Sequence, residues 1–221
     1  MGQTQPERRN IVAKSFLLTL IIVACASIAV AQADYKRWEI FGGYSHNRME
    51  TGAGDYNPDT GEFIEKREGF QGFNASITRN FSRYFGLKGD VSGFYKRETV
   101  RYDTIERAVD IHTSLYNFLT GVQIKDNSTE ATFKPFAHAL PGVGYERTRF
   151  TFTKEACAAL INCPAEHLRS NTFFGAALGG GLDIRASDRF DIRAIQVDYN
   201  PMRLGERTQD NLRIGVGIVI H

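Results

Sequence analysis

From Tyr35 to Ile220 apolar positions alternate with polar or small ones, in segments separated by turn-rich stretches. Trp38, Ile40, Gly42 and Tyr44 share one parity against Glu39, Gly43 and Ser45. Phe73, Ala75, Ile77 and Phe81 oppose Asn74, Ser76, Thr78 and Asn80, and Phe85, Leu87, Val91 and Tyr95 oppose Lys88, Asp90, Ser92 and Lys96. The cleanest case is the last, with Leu212, Ile214, Val216, Ile218 and Ile220 against Arg213, Gly215, Gly217 and His221. A period of two sustained in this way specifies strands with one apolar and one polar face.

The pattern predicts eight strands, near 35–49, 70–82, 84–99, 110–125, 132–149, 172–187, 189–203 and 211–221. Thr113 to Gln123 is the least regular stretch, because both parities carry large apolar groups. Connections alternate long and short: 50–69, 82–84, 100–109, 126–131, 150–171, 187–189 and 204–210. That alternation fits a membrane barrel with tight turns on the side of its termini and loops on the other. An even number of strands closes without an edge, which a medium lacking water requires. The expected fold class is an all-β, eight-stranded antiparallel up-and-down transmembrane β-barrel. A soluble barrel would reverse the faces, with aliphatic groups inside.

The amino-terminal segment strengthens the membrane reading. Arg8, Arg9 and Lys14 precede an apolar run from Phe16 to Val30, which closes on Ala31-Gln32-Ala33. These are the parts of a secretory signal peptide, expected over 1–33, with the barrel domain over 34–221. An uncleaved anchor and lipidation at Cys25 are the alternatives. With residues 1–33 removed, 24 basic and 24 acidic side chains remain of 27 and 25. A balanced chain gives no basis for binding nucleic acid, which needs a surplus of Lys and Arg on one surface.

Cys157 and Cys163 remain in the exported chain, within a polar stretch that would form the third loop. An oxidising compartment favours their closure into a local disulfide. Trp38, Tyr84, Phe85, Tyr145, Phe150, Phe173, Phe190 and Tyr199 fall near strand ends, where an aromatic belt would meet the membrane interfaces. The opposite parity predicts an inward set of Glu39, Asn74, Asn80, Lys88, Asp90, Lys96, Asp183, Arg185, Gln196, Asp198 and Arg213. Charges inside a barrel need partners, so these are expected to form a structural lumen network of ion pairs and hydrogen bonds.

Several stretches carry a family resemblance: Glu39 to His46, Gly72 to Lys96, Lys134 to Glu146 and Phe174 to Asn200. Through them the chain resembles the small outer-membrane β-barrel family, the porin-family group that holds the transmembrane domain of outer-membrane protein A and its opacity-protein and OmpX-like relatives. The likeness spans nearly all of 34–221 and is specific for barrel class rather than activity. The aromatic terminal residue usual in that family is absent, because His221 stands in its place. The resemblance implies the bacterial outer membrane, loops outside and termini in the periplasm, and a monomer in contact with outer-membrane lipids and lipopolysaccharide. It also implies delivery by the barrel assembly machinery.

Catalytic and metal-binding chemistry is sparse. Asp55, Asn57, Asp59 and Glu65 give the first loop alternating oxygen groups, but Gly61 falls one place late for a calcium loop and Lys66 stands where a bidentate Glu is needed. A polar turn-rich loop is the expectation there. His112, Ser114 and His138 bring a lipid-modifying barrel enzyme to mind, yet a strand histidine is ordinarily a filler or hydrogen-bonding group. The expected function is therefore a structural or surface-contact barrel with no catalytic activity, cofactor or metal. A narrow channel for ions or small hydrophilic solutes is the alternative, ahead of the enzyme.

Overall fold

A computed structural model describes residues 35–50, 56–57, 62–63, 67–102, 105–154, 157, 166–204 and 207–221. The strands are β1 (Trp38–Glu50), β2 (Tyr56–Asn57), β3 (Glu62–Phe63), β4 (Arg67–Asn80), β5 (Phe85–Tyr102) and β6 (Ile105–Lys125). They continue as β7 (Phe133–Phe152), β8 (Glu166–Arg185), β9 (Phe190–Tyr199), β10 (Met202–Leu204), β11 (Arg207–Gln209) and β12 (Leu212–Ile220). Ten of them make one antiparallel sheet, and β2 and β3 pair by themselves.

Within the large sheet, hydrogen bonding runs as a ring through eight strands. The order is β1, β4, β5, β6, β7, β8, β9 and β12, after which β12 pairs with β1 through Ile40↔Ile220 to Arg48↔Leu212. The short hairpin β10–β11 attaches to β8 at Phe174 and Gly175. No helix among the described residues is long and apolar enough to cross a membrane, which says nothing of crossing by strands.

The alternating sequence is what orients the faces. On β4, Asn74, Ser76, Thr78 and Asn80 are buried while Phe73 and Ile77 are exposed. On β12, Arg213 and Val219 are buried against exposed Leu212, Ile214, Val216, Ile218 and Ile220. Along these strands polar groups face inward and all the aliphatic groups named but Val219 face outward.

Two of the short connections are built alike. In Phe81-Ser82-Arg83-Tyr84, Ser82 Oγ accepts from the Tyr84 and Phe85 amides at 3.4 and 3.1 Å. In Ala186-Ser187-Asp188-Arg189, Ser187 Oγ accepts from the Arg189 and Phe190 amides at 3.2 and 3.3 Å. A serine hydroxyl thereby replaces a backbone acceptor and fixes the turn. Both ends of the described chain meet this side: Lys36 N donates to Asn127 O and His221 N to Arg189 O.

Four strands run further than the alternation predicts. The expected long connection over 100–109 is instead β5 and β6 continuing to Tyr102 and from Ile105, paired as Tyr102↔Ile105. The connection expected over 150–171 is shortened in the same way, with β7 reaching Phe152 and β8 starting at Glu166. Strand pairing persists there because these residues, rich in Thr, Arg and aromatics, suit a pleated surface with no apolar face to mark it.

Candidate functional site

Most of the predicted inward residues meet on the inner face toward the short-turn end. Glu39 accepts from Asn80 Nδ2 and from Lys125 Nζ, both at 2.8 Å, and Lys125 also reaches Asp183 Oδ2 at 2.8 Å. Arg193 grips the Asp183 carboxylate through Nε at 2.8 Å and Nη2 at 3.0 Å, and its Nη1 donates to Gln196 Oε1 at 2.8 Å. Gln196 Nε2 passes the chain to Asp198 Oδ2 at 2.7 Å. Arg213 then bridges Asp198 and Asp90 at 2.8 and 2.9 Å, and Asn74 Nδ2 donates to Asp90 at 2.9 Å. Nine of the predicted residues, Glu39, Asn74, Asn80, Lys88, Asp90, Asp183, Gln196, Asp198 and Arg213, are buried in this region.

The other two sit apart. Lys96 lies nearer the far end, half-buried, with its ammonium on the carboxylate of Glu68 and 3.3 Å from Glu98. Arg185 lies at the 186–189 turn, where it binds the carbonyl of Thr129 and the carboxylate of Asp188.

Buried groups outside the predicted set include Lys125, Lys134, His138, Asp191, Arg193 and Asn117. His138 Nε2 stands 2.8 Å from Asp198 Oδ1, and its Nδ1 faces Lys88 Nζ at 3.3 Å. A neutral ring with its proton on Nε2 satisfies both, donating to the carboxylate and accepting from the ammonium. Lys134 and His221 share Asp191, each at 2.9 Å. Among the described residues the fully or nearly buried ions are Lys88, Lys125, Lys134, Arg193 and Arg213 against Glu39, Asp90, Asp183, Asp191 and Asp198, so their charges cancel.

Arg193 is the centre of this arrangement. Its guanidinium lies between the rings of Phe41 and Phe136, 4.2 Å from each centroid. It faces inward because β9 carries a bulge: partners on both sides skip a residue, Asp183↔Arg193 being followed by Leu182↔Ile195, and Gly217↔Arg193 by Gly215↔Gln196. Ala194 and Ile195 both turn outward, and Arg193 and Gln196 both turn inward. The extra residue re-aims the side chains that follow.

Toward the other end the inner face becomes apolar. Leu119, Leu140 and Ala177 pack as one cluster, and Met49, Phe70, Phe94, Leu115, Phe173 and Met202 as another. Phe94, Leu115 and Leu140 have no exposed surface. Gly144 makes room for the Phe173 ring, since a Cβ there would fall 2.2 Å from Phe173 Cζ. Phe173, expected in an outer aromatic belt, therefore belongs to the interior; the outward position on β8 is its neighbour Phe174. Trp38, Tyr84, Phe85, Tyr145, Phe190 and Tyr199 do face outward.

The remaining candidates do not form a reaction centre among the described residues. His138 points inward, while His112 accepts from Arg97 on the opposite face, so the two histidines do not share a site. Among the described residues no group of three or more His, Cys, Asp or Glu is placed to hold a metal. Of the candidate calcium loop, Asp55, Asp59, Gly61, Glu65 and Lys66 lie outside the described residues. Cys157 is disulfide-bonded, and Cys163 also lies outside them.

Beyond the ring, four strands continue together. β4 pairs with β5 only as far as Gln71↔Tyr95, whereas β5–β6, β6–β7 and β7–β8 pair on to Tyr102↔Ile105, Val109↔Phe152 and Thr151↔Glu166. Among the described residues, 96–102 of β5 and 166–173 of β8 are the edges of this projecting sheet. Seven residues of strand amount to roughly 20 Å of backbone beyond the ring.

A profile described as outer membrane protein beta-barrel domain matches residues 16–219. No curated protein matches the chain. Among solved structures, neisserial surface protein A matches with a TM-score of 0.51 and 9% identity, covering 84% of this chain and 97% of that one. The attachment invasion locus protein Ail of Yersinia pestis, in complex with the heparin analogue sucrose octasulfate, matches with a TM-score of 0.50 and 17% identity, covering 82% and 97%. At these identities the likeness establishes a shared fold.

Proposed function

Because the chain belongs to the outer membrane protein beta-barrel domain family, we propose that it is a closed, eight-stranded up-and-down barrel of the bacterial outer membrane, non-enzymatic, with a structural interior and a surface-contact role. The observation that carries this reading is the division of the faces. Trp38, Ile40, Ile77, Leu87, Phe118, Val122, Ile192 and Ile218 are about half exposed and face away from a buried, charge-balanced interior. A wide apolar exterior on a ring of strands is what hydrocarbon solvates and water does not.

The lumen network serves as a filler that holds register across the ring. A conducting path is opposed by the apolar side chains of Phe94, Leu115 and Leu140, which are fully buried on the inner face. The short turns and both termini face the periplasm, after removal of 1–33, and the projecting sheet with a Cys157–Cys163 staple nearby faces outward. Its unpaired strand edges offer main-chain donors and acceptors to an extended partner segment. Assembly by the barrel machinery and a monomeric state in contact with lipid and lipopolysaccharide complete the proposal.

The test is membrane fractionation followed by gel migration with and without heating. An outer-membrane pool with heat-modifiable migration, and no steady conductance in planar bilayers, is expected. A soluble periplasmic pool would overturn the barrel reading, and stable conductance would replace the structural interior with a channel. On intact cells, a Thr99→Cys variant should react with a membrane-impermeant maleimide; protection until lysis would invert the topology.

A further inference from the structure

The chain enters its first strand from across the short-turn end of the ring. β1 stands opposite β7, four strands away in either direction, yet Tyr35, three residues before β1, forms an antiparallel bridge with Ser128 in the β6–β7 connection. The Tyr35 hydroxyl donates to Phe81 O in the β4–β5 turn at 3.1 Å. The Lys36 amide donates to Asn127 O at 3.2 Å, and the Lys36 ammonium to Asp188 O in the β8–β9 turn at 2.8 Å. Two residues thus tie the β4–β5, β6–β7 and β8–β9 connections to one another across the mouth.

Beneath this crossing lies the end of the ion network. Asn80 Nδ2 donates at 2.8 Å both to Lys36 O and to Glu39 Oε1, so one side chain separates the crossing from the Glu39–Lys125 pair. Side chains of a connecting turn ordinarily meet water, but Asn127 and Ser128 are 2% and 8% exposed, and the crossing lies on both. Different groups hold this closure and oppose it. The side-chain bonds of Tyr35 and Lys36 are exposed to water, and Tyr35-Lys36-Arg37 brings no aliphatic side chain, so little free energy keeps the segment down. Against it, both amide atoms of Asn127 are enclosed with no hydrogen-bond partner, a cost that contact with water returns. Arg37 is fixed, since Asn80 N donates to its carbonyl at 2.8 Å and Trp38 already pairs with Arg79. The pivot therefore falls between Lys36 and Arg37.

We propose that Tyr35 and Lys36 form a lid over the short-turn mouth, hinged at Arg37, which opens locally while the ring stays closed and admits water to Asn127 and to the Asn80–Glu39–Lys125 end of the network. This rests on the closed barrel proposed above. Tyr35 and Lys36 set how firmly the lid shuts, and the buried Asn127 amide sets the load against it. Opening is not conduction, because the apolar side chains of Phe94, Leu115 and Leu140 are fully buried on the inner face toward the other end. The lid is a one-sided device: it hydrates the ions of the interior from the short-turn end alone.

The experiment uses protein extracted from membranes into micelles, without reductant, and measures how fast a charged methanethiosulfonate modifies Ser128→Cys, beneath the lid, and Glu130→Cys, exposed two residues on. Ser128→Cys should react at least about tenfold more slowly than Glu130→Cys. Adding Tyr35→Phe with Lys36→Met, which removes both side-chain bonds to the turns, should speed Ser128→Cys about tenfold and leave Glu130→Cys unchanged, the change expected of two hydrogen bonds. Adding Asn127→Leu instead removes the unpartnered amide and should slow Ser128→Cys about fivefold, a change of sign that a merely frayed terminus does not give. Equal rates at the two cysteines, no acceleration in the double lid variant, no slowing by Asn127→Leu, or steady conductance confined to the double lid variant would overturn the lid. Heat-modifiable migration accompanies every rate. Its absence in wild type would count against the closed barrel rather than the lid, and either variant decides alone if the other loses it.

Discussion

The two ends of the interior solve the same packing problem with opposite chemistry. Toward the short turns the inner face is filled by ions that cancel one another, joined through Asp183, Asp198 and Asp90. Toward the projecting sheet it is filled by Met49, Phe70, Phe94, Leu115, Phe173 and Met202, which make no directional demand. A buried ion network is intolerant of partial removal, because each lost partner leaves an uncompensated charge. An apolar cluster loses stability in proportion to the space left empty. The difference teaches that one end fixes strand register by geometry and the other closes the interior by volume.

The largest effect is expected where the ion network is cut at a shared anion. Asp183→Ala leaves Lys125 and Arg193 without the carboxylate that both contact, and should cost about 3–5 kcal/mol in urea unfolding of the micelle-bound protein. A cost below about 1 kcal/mol would mean that water already compensates these charges. Phe94→Ala in the apolar end should cost about 3–4 kcal/mol by the same measurement. The two ends separate under conservative change. Leu115→Met should cost less than about 1.5 kcal/mol because volume is conserved, whereas Asp183→Asn, equally conservative in shape, should retain much of the Ala loss. Equal tolerance at both ends would erase the distinction.

The division of faces was legible from the sequence because period two survives in β1, β4, β5 and β12, which place Glu39, Asn74, Lys88 and Arg213 inside. Arg193 was hidden by the bulge: it shares parity with Ile195 and Val197, so alternation alone turns it toward lipid, and only the extra residue at 194–195 reverses it. Lys134 and His138 alternate with Phe133, Pro135, Ala137 and Ala139, and that signal was present but unused. The apolar end defeated the pattern for a physical reason. Leu115 and Leu119 face inward opposite outward Phe118 and Val122, so both parities of β6 are apolar and the alternation vanishes where the interior stops being polar. Only the outermost part of the projecting sheet falls in the expected connections 100–109 and 150–171, since its strands carry no apolar side to mark the alternation.

The Arg193 sandwich joins the two chemistries and sets a smaller expected effect. Phe41→Leu keeps the inner face apolar but removes one of the two rings over the guanidinium. A cation–aromatic contact shielded from water is worth about 2 kcal/mol, so a loss near that size is expected. The double-mutant cycle with Arg193→Met isolates the pair: a coupling energy near zero would mean that the rings act as packing alone.

The smallest effect lies outside the ring, at a turn of the short-turn end, and it sharpens the comparison by supplying an ion pair that water reaches. Arg83 holds Asp126 through two bonds at 2.8 and 2.9 Å, with both side chains substantially exposed. The hydrogen bonds from Arg83 are the main cause that holds the Asp126 carboxyl well below the ordinary carboxylate range, with the Ser128 amide assisting. A folded-state value below the unfolded one of about 3.9 means the pair contributes fully above that pH and is lost as pH falls through the folded value. Carboxyl carbon chemical shifts of Asp126 should therefore titrate below those of an unpaired aspartate, and Arg83→Gln should return the midpoint toward the ordinary range. Stability near neutral pH should scarcely move, because solvent screens an exposed pair. A loss on Arg83→Gln comparable to that of Asp183→Ala would show that burial is not what separates this pair from the ions of the interior.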